Sequence, residues 1–211
     1  MIDVTHEINS VERRIASRTL EAGQARTMVV SRVYETPPED LWDACTNPER
    51  LPRWFLPVSG DLRPGGRYAL EGNASGTIER CEPPQRLDAT WEYGGQTSWI
   101  ELRLTPEGEG RTRFALEHIA HVGDDVWAQF GPGAVGVGWD QAVMALTVHL
   151  ADGADGAAVQ AWQTTEEGLE FVRLSSNGWA DASIAAGTDA EEARAAEART
   201  TEFYTGQPSS A

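Results

Sequence analysis

Two histidines stand close together in the second half of the chain, at His118 and His121. Histidine is suited both to acid–base chemistry near neutral pH and to metal binding. Residues three apart on a β-strand lie on opposite faces, and no third ligand stands at a suitable spacing, so we expect no metal site. His118 shares a face with Phe114 and Leu116, which makes it the candidate for a general acid or base. A hydrogen-bonded structural role is more common for such a histidine.

A glycine-rich segment, GPGAVG at residues 131–136, matches the pattern of a dinucleotide-binding loop and precedes a helical pattern. Residues 124–130 do not resemble a buried parallel strand, and no strand follows the helix, so the βαβ unit is incomplete. We therefore expect neither a nucleotide nor another cofactor. The glycines are instead predicted to form a flexible entrance loop, with Trp127 and Phe130 as lid residues.

No other catalytic arrangement is visible in the sequence. It contains no serine nucleophile elbow, no cysteine–histidine pair with an orienting third group and no phosphate-binding loop. Cys45 and Cys81 are expected to be ordinary buried or half-buried thiols. Glu79, Glu101 and Glu117 fall on strand faces predicted to be solvated, which argues against a buried carboxylate pair. We therefore assign no catalytic residue.

The first element that would position these side chains is a helix near residue 36. Thr36 is placed to cap it, Pro37 suits its first turn, and Glu39 completes a capping box. The helix should carry Leu41, Trp42 and Cys45.

Six short alternating segments predict β-strands separated by turns rich in glycine or proline. They lie near residues 26–34, 67–71, 76–82, 86–93, 98–105 and 111–120. Residues 11–20 also alternate and are predicted to add an edge strand that pairs with residues 26–34, with a helix as the alternative. Apolar side chains collect on one face of the predicted sheet, and that face must be covered.

A helix over residues 139–150 is suited to cover this face, because its apolar residues recur at helical spacing. The sequence therefore predicts an α+β fold in which a curved antiparallel sheet wraps around one long helix. The side chains expected to line a pocket between them are Trp54, Phe55, Tyr68, Leu70, Ile78, Trp91, Ile100, Leu102, Phe114, Leu116, His118, Trp139 and Val143. Apolar clefts of this kind are typical of small-molecule sites. The alternative is that these residues fill the interior as a core.

An acidic helical extension is predicted at residues 153–211, after a small-residue linker at 151–156. One helix should run from a capping box at Thr164 to about Ala186, and a second from Thr188 or Asp189 to about Tyr204. Packing of these helices in cis is favoured over a homodimer contact, and residues 206–211 should be disordered. The chain is thus divided into an N-terminal edge segment at 1–25, a central domain at 26–152 and the extension.

The composition argues against several classes of partner. A net charge of −16 repels phosphate groups, so nucleic acid and anionic membranes are not expected to bind. No apolar run is long enough to span a bilayer and the N-terminus lacks a leader pattern, so we expect a cytoplasmic protein. The 17 basic residues are all arginine, which indicates a G+C-rich bacterial genome.

An ordered set of motifs carries a resemblance to a known superfamily. The motifs are NPERLPRWF at 47–55, DLRPGG at 61–66, GTI at 76–78, PPQRL at 83–87, TW at 90–91, LEH at 116–118 and GW at 138–139. Over about residues 26–150 they resemble the SRPBCC (START-like, helix-grip) superfamily. Within it, they are similar to the C-terminal domain of the activators of heat-shock protein 90 ATPase. The resemblance implies a helix-grip fold whose cavity holds hydrophobic molecules such as lipids, sterols or polyketides.

Three functional hypotheses follow. The favoured one is a non-enzymatic domain that binds a small hydrophobic ligand between sheet and helix. The second is an enzyme similar to polyketide cyclases and dehydratases, with His118 as general acid or base and Tyr68 or Tyr93 as a hydrogen donor. The third, implied by the resemblance, is a module that interacts with a chaperone.

Overall fold

The structure is a computed structural model that describes residues 2–153 and 156–206. The middle of the predicted linker and the predicted disordered tail from residue 207 onward lie outside the described residues. None of the helices in the described part of the chain combines the length and apolar character needed to cross a bilayer.

Eight antiparallel strands form a single sheet. They are β1 (Glu12–Leu20), β2 (Gly23–Tyr34), β3 (Val58–Gly60), β4 (Arg67–Leu70), β5 (Ser75–Glu82), β6 (Arg86–Tyr93), β7 (Gln96–Pro106) and β8 (Thr112–Ala120). Their order across the sheet is β1-β2-β8-β7-β6-β5-β4-β3. The predicted edge strand is β1, which pairs with β2, and β3 is the strand that the sequence did not predict.

Seven helices accompany the sheet in the described part of the chain. They are α1 (Val4–Asn9), α2 (Pro38–Thr46), α3 (Asp124–Phe130), α4 (Gly133–Asp152), α5 (Gly156–Gln163), α6 (Glu166–Ala185) and α7 (Ala190–Thr205), with a 3₁₀ turn at Leu51–Arg53. Helix α4 is the predicted long helix, and α6 and α7 are the predicted helices of the extension. The expected α+β helix-grip architecture is confirmed.

The predicted capping box of α2 is wrong. The N-cap is Pro37, in an extended conformation, and no side chain caps the helix. The hydroxyl of Thr36 instead donates to the Asp40 carboxylate at 2.9 Å. Because a residue before proline is biased toward the extended region, the Pro37–Pro38 pair delays the start of the helix by one residue.

Helix α4 is buried on more than one side, which explains why it is apolar over most of its length. Toward the sheet, the carbonyl of Val143 accepts a hydrogen bond from the Tyr34 hydroxyl of β2 at 2.9 Å. Other parts of its surface contact α6 and α7. Val137 and Leu146 are completely buried.

The glycines at the start of α4 do not form the flexible entrance loop that was predicted. Gly133 and Gly136 lie within the helix, and each faces another helix at close range. A β-carbon at Gly136 would lie 2.3 Å from the ring of Trp179 in α6, and one at Gly133 would lie 2.9 Å from the methyl group of Thr200 in α7. These positions therefore lack side chains because neighbouring helices occupy the space.

The C-terminal helices pack in cis, as the sequence favoured. Helix α6 contacts α4, α1 and β1, while α7 contacts α6 and α3. Trp179 and Phe171, both on α6, are among the largest fully buried side chains of the described structure. The extension is therefore part of the same packed body as the sheet.

Candidate functional site

An apolar cavity of about 160 Å³ lies between the sheet face that turns toward α4, the end of α2 with the loop after it, and α4. Eleven of the thirteen predicted pocket residues line it: Trp54, Phe55, Tyr68, Leu70, Ile78, Trp91, Ile100, Leu102, Phe114, Leu116 and Trp139. Eight further residues complete the wall: Cys45, Thr46, Leu51, Val58, Leu62, Cys81, Leu87 and Ala89. That these side chains contact a ligand stays a prediction.

Aromatic rings form one side of the cavity. Trp139 of α4 lies near Trp91 of β6, with ring centroids 5.3 Å apart, and near Phe55, with centroids 6.2 Å apart and planes 20° from parallel. The Phe55 ring is in turn 5.4 Å from that of Trp54. Such contacts are worth about 0.5–1.5 kcal/mol per pair beyond area burial, so the rings support one another.

Three polar groups of the aromatic wall are already hydrogen-bonded within the protein. The indole of Trp54 donates to the Ala44 carbonyl at 2.9 Å, and the hydroxyl of Tyr68 donates to the Thr90 carbonyl at 2.7 Å. The indole of Trp139 donates to Nδ1 of His118 at 3.0 Å. Among these groups of the described structure, no N–H is left to bind a polar ligand atom.

His118 does not line the cavity, contrary to the prediction, but lies behind Trp139. Its Nδ1 accepts from Trp139, so the proton must sit on Nε2, which lies 2.8 Å from the Ser98 hydroxyl. Burial lowers the pKa of His118 to about 4, so the ring is neutral at pH 7. Both nitrogens are engaged, and the ring therefore supports the wall.

Val143 is the second residue that was wrongly placed on the wall. It is buried in α4, but it does not reach the cavity. It lies one turn beyond Trp139, where its backbone carbonyl accepts the hydrogen bond from the Tyr34 hydroxyl of β2.

Two cysteines contribute to the wall from different elements, Cys45 from α2 and Cys81 from β5. Burial raises the pKa of the Cys45 thiol to about 12 and also raises that of Cys81. Both are therefore protonated thiols at neutral pH, and they behave as small apolar side chains.

The predicted lid residues lie elsewhere. Trp127 and Phe130 belong to α3, which packs along α7, and neither lines the apolar cavity. His121 lies on the far side of the sheet from His118, as expected, with Nδ1 at 3.0 Å from the Gln24 carbonyl.

Glu101 is buried, although it was expected to face solvent. It points away from the cavity, as predicted, but Arg18 and Arg103 cover it at 2.7 and 2.5 Å. Long arginine side chains bury a carboxylate that alternation alone assigns to the surface.

A buried ion pair next to the cavity wall was missed by the sequence analysis. Asp140 follows Trp139 in α4 and is completely buried. Its Oδ2 accepts from Arg13 of β1 at 2.8 Å, from Ser175 at 2.5 Å and from Trp179 at 3.1 Å. Burial raises the pKa of Asp140, while Arg13 and these hydrogen bonds act in the opposite direction. An acid in the middle of a largely apolar helix was the available signal.

A sheet wrapped around a long helix, with an apolar cavity between them, defines a helix-grip domain. The chain belongs to the family described as activator of Hsp90 ATPase homolog 1-like protein, whose model matches residues 35–151. No protein with a curated description matches it.

Solved structures extend the comparison. CalU16 from Micromonospora echinospora is 37% identical, with a TM-score of 0.67 over 82% of this chain and 98% of that one. Protein MLL2253 from Mesorhizobium loti is 28% identical, with a TM-score of 0.52 over 59% of this chain and 96% of that one. PFC0360w, an HSP90 activator from Plasmodium falciparum, is 20% identical, with a TM-score of 0.51 over 61% and 96% of the two chains, and shares the fold alone. The similarity to CalU16 includes residues outside the family match.

Proposed function

We propose that the protein binds a small hydrophobic molecule in the cavity between the sheet and α4. The observation that carries this proposal is an apolar space of about 160 Å³, walled by aromatic rings, in which Trp54, Tyr68 and Trp139 have their polar atoms hydrogen-bonded within the protein. Apolar space that is left unfilled gives up packing contacts. A chain that keeps such a space gives up stability that filling it would supply.

The wall also restricts the chemistry of the ligand. Because the indole N–H groups of Trp54 and Trp139 and the hydroxyl of Tyr68 are engaged, the buried part of the ligand must chiefly match the shape and the aromatic surface of the wall. An engineered cavity of about 150 Å³ holds benzene, whereas drug-sized sites measure about 300–1,000 Å³. We therefore propose that one ring-sized apolar group is enclosed, and that any larger part extends past Leu62, which lines the cavity and is 38% exposed.

The residues that were considered for an enzymatic role are either hydrogen-bonded within the protein or lie outside the cavity. His118 is behind the wall with both nitrogens hydrogen-bonded, and Tyr68 donates its proton to a carbonyl. Tyr93 is 61% exposed and lies outside the cavity. Binding without catalysis is therefore the function that the geometry supports best.

A cavity-filling variant tests the proposal. Ala89→Leu adds three carbons to the wall from β6, whereas Ala115→Leu makes the same change on the opposite face of the sheet and serves as the control. We expect benzene and indole to bind the wild type and the control, and to bind Ala89→Leu about tenfold more weakly. Titrations followed by NMR and by thermal shift measure this.

Two outcomes contradict the proposal. One is that neither probe binds the wild type at millimolar concentration. The other is that Ala89→Leu, folded by circular dichroism, binds both probes as the wild type does.

A further inference from the structure

The two edges of the sheet differ in length and regularity. At one end of the strand order, β3 has only three residues. At the other end, β1 has nine residues, contains no proline and pairs with β2 without a register shift. Proteins commonly protect a sheet edge with a short strand, a proline or a bulge. The β1 edge has none of these protections.

Every second residue of β1 turns its backbone groups to the open side of the sheet. The hairpin loop has two residues, so the pair that flanks it, Leu20 and Gly23, is hydrogen-bonded, and such pairs alternate along the strand. The residues between them direct their N–H and C=O groups away from β2, and they are Arg13, Ile15, Ser17 and Thr19. Within the described residues these groups have no hydrogen-bond partner, and Ser17 and Thr19 are exposed. The edge therefore offers a row of donors and acceptors to another strand.

A second copy of β1 is complementary to this edge in one register. Two identical strands pair in the antiparallel direction about a two-fold axis, and residues with outward backbone groups must then face one another. With Ile15 on the axis, Glu12 of each copy lies opposite Arg18 of the other, and Arg14 lies opposite Ala16. Opposite charges that face each other across two strands stabilise the pair.

Neighbouring registers lack this complementarity. An axis at Arg14 or at Arg18 sets that arginine opposite its own copy, and an axis at Ala16 sets Arg14 opposite Arg18. Like charges directly opposite each other are destabilising. An axis at Ser17 brings no opposite charges together. The arginines of β1 therefore select the register with Ile15 on the axis.

Both charged residues can change partners without leaving their present partners unpaired. The Glu12 side chain is 76% exposed, and its partner Arg113 has a second acidic partner. The Arg18 side chain is 42% exposed, and its partner Glu101 has a second basic partner. Exposed ion pairs contribute little to stability, so exchanging them for pairs between two copies costs little.

We propose that two copies of this chain pair through their β1 strands, about a two-fold axis at Ile15, and join their sheets into one. Arg13, Ile15 and Ser17 of each copy exchange backbone hydrogen bonds with the other copy, and the half-buried Ile15 side chains meet at the axis. No residue of β1 is among the described residues that line the apolar cavity. The contact is therefore independent of the proposed ligand site.

A proline variant of the full-length chain tests the edge. Sedimentation equilibrium should show a mass that rises from one chain toward two as the concentration increases. Ser17→Pro removes an N–H that points away from β2, so it keeps the hairpin and takes one hydrogen bond per copy from the dimer. We expect it to raise the dissociation constant of the dimer about tenfold or more. Ser17→Ala keeps the N–H and should leave the dissociation constant unchanged.

Charge variants test the register. Glu12→Arg sets like charges opposite each other and should weaken the dimer about tenfold. The charge-swapped variant Glu12→Arg/Arg18→Glu should restore it. In a mixture of isotope-labelled and unlabelled wild type, we expect a nuclear Overhauser effect between the α protons of Arg14 and Ala16 of different copies. These residues form a non-hydrogen-bonded pair, whose Cα atoms lie about 4.5 Å apart.

Three results overturn the inference. The first is the mass of one chain at millimolar concentration, which would leave the edge to an extended segment of a different protein. The second is that Ser17→Pro, folded by circular dichroism, dimerises as the wild type does, which would place the contact on another surface. The third is that the charge-swapped variant stays as weak as Glu12→Arg, which would exclude this register.

Discussion

His118 connects two tryptophans of the cavity wall through a series of hydrogen bonds. The indole of Trp139 donates to His118, His118 donates to Ser98, and Ser98 donates to the carbonyl of Trp91 at 3.1 Å. The series requires a neutral ring with its proton on Nε2. The histidine therefore fixes the wall in one arrangement as long as it remains unprotonated.

Stability should consequently fall in mild acid. The pKa of His118 is about 4 in the folded protein and about 6.5 in an unfolded chain, so protonation favours unfolding. The stabilisation is complete above pH 6.5 and is lost as the pH falls toward 4, by about 2 kcal/mol at pH 5. Urea denaturation at pH 7 and pH 5 measures it. In His118→Gln, the part of the decrease in the free energy of unfolding that comes from protonation of His118 should be absent.

His6→Gln is the matched control, because His6 is an exposed histidine of α1. It should retain the full decrease of the wild type. If His118→Gln lost as much stability between pH 7 and pH 5 as the wild type, the decrease would belong to other groups, and the buried neutral ring would not be its cause.

At the scale of elements, α4 depends on a glycine where α6 crosses it. A methyl group at Gly136 would meet the Trp179 ring at 2.3 Å, whereas one at Gly138 would meet only the Tyr204 hydroxyl at 3.4 Å. We expect Gly136→Ala to lower the free energy of unfolding by about 1–3 kcal/mol. Gly138→Ala should be neutral or stabilising by up to about 1 kcal/mol, since alanine favours helix.

Urea denaturation of Gly136→Ala and Gly138→Ala measures the change in the free energy of unfolding that each substitution causes. Equal effects at both glycines would mean that helix propensity governs this stretch, and that the packing of α4 on α6 adjusts without loss.

The elements themselves were largely predictable, and their contacts were not. Strand alternation located β1, and caps located α6 and α7, because these signals lie within a few residues of sequence. The glycines before Trp139 were interpreted as a loop, because a glycine packed against Trp179 and a flexible glycine look alike in sequence. The pairing of Arg13 with Asp140, 127 residues apart, has no local signal.

For the cavity, too, the directions of side chains were predictable, whereas contacts between distant elements were not. Eight of the eleven correctly predicted wall residues lie on strands, where the period of two fixes the direction of each side chain. Alternation assigned His118 to the wall as well, because it gives a face and not a depth. Depth depends on Trp139, which lies between His118 and the cavity and comes from another element.

For the whole molecule, the sequence predicted a central domain ending at residue 152, whereas the packing predicts one cooperative unit. Asp140 is enclosed by Arg13 before that domain and by Ser175 and Trp179 after it. Removal of the extension would leave the pair with Arg13 but take the other two donors away from the Asp140 carboxylate, and a hydrogen bond to a charged group is worth about 1.5–3 kcal/mol. It would also expose the side of α4 that carries Gly136.

The full-length chain should therefore unfold in one transition, with the same midpoint by far-ultraviolet circular dichroism and by tryptophan fluorescence. A chain ending at residue 153 should show no cooperative transition. A typical domain is stabilised by only about 5–15 kcal/mol, and loss of the contacts that α6 and α7 make would remove a large part of this. Separate midpoints for the two probes, or a cooperative transition of the shortened chain, would instead support a central domain that folds alone. The extension would then be an attachment to it, and α4 would owe its position to the sheet.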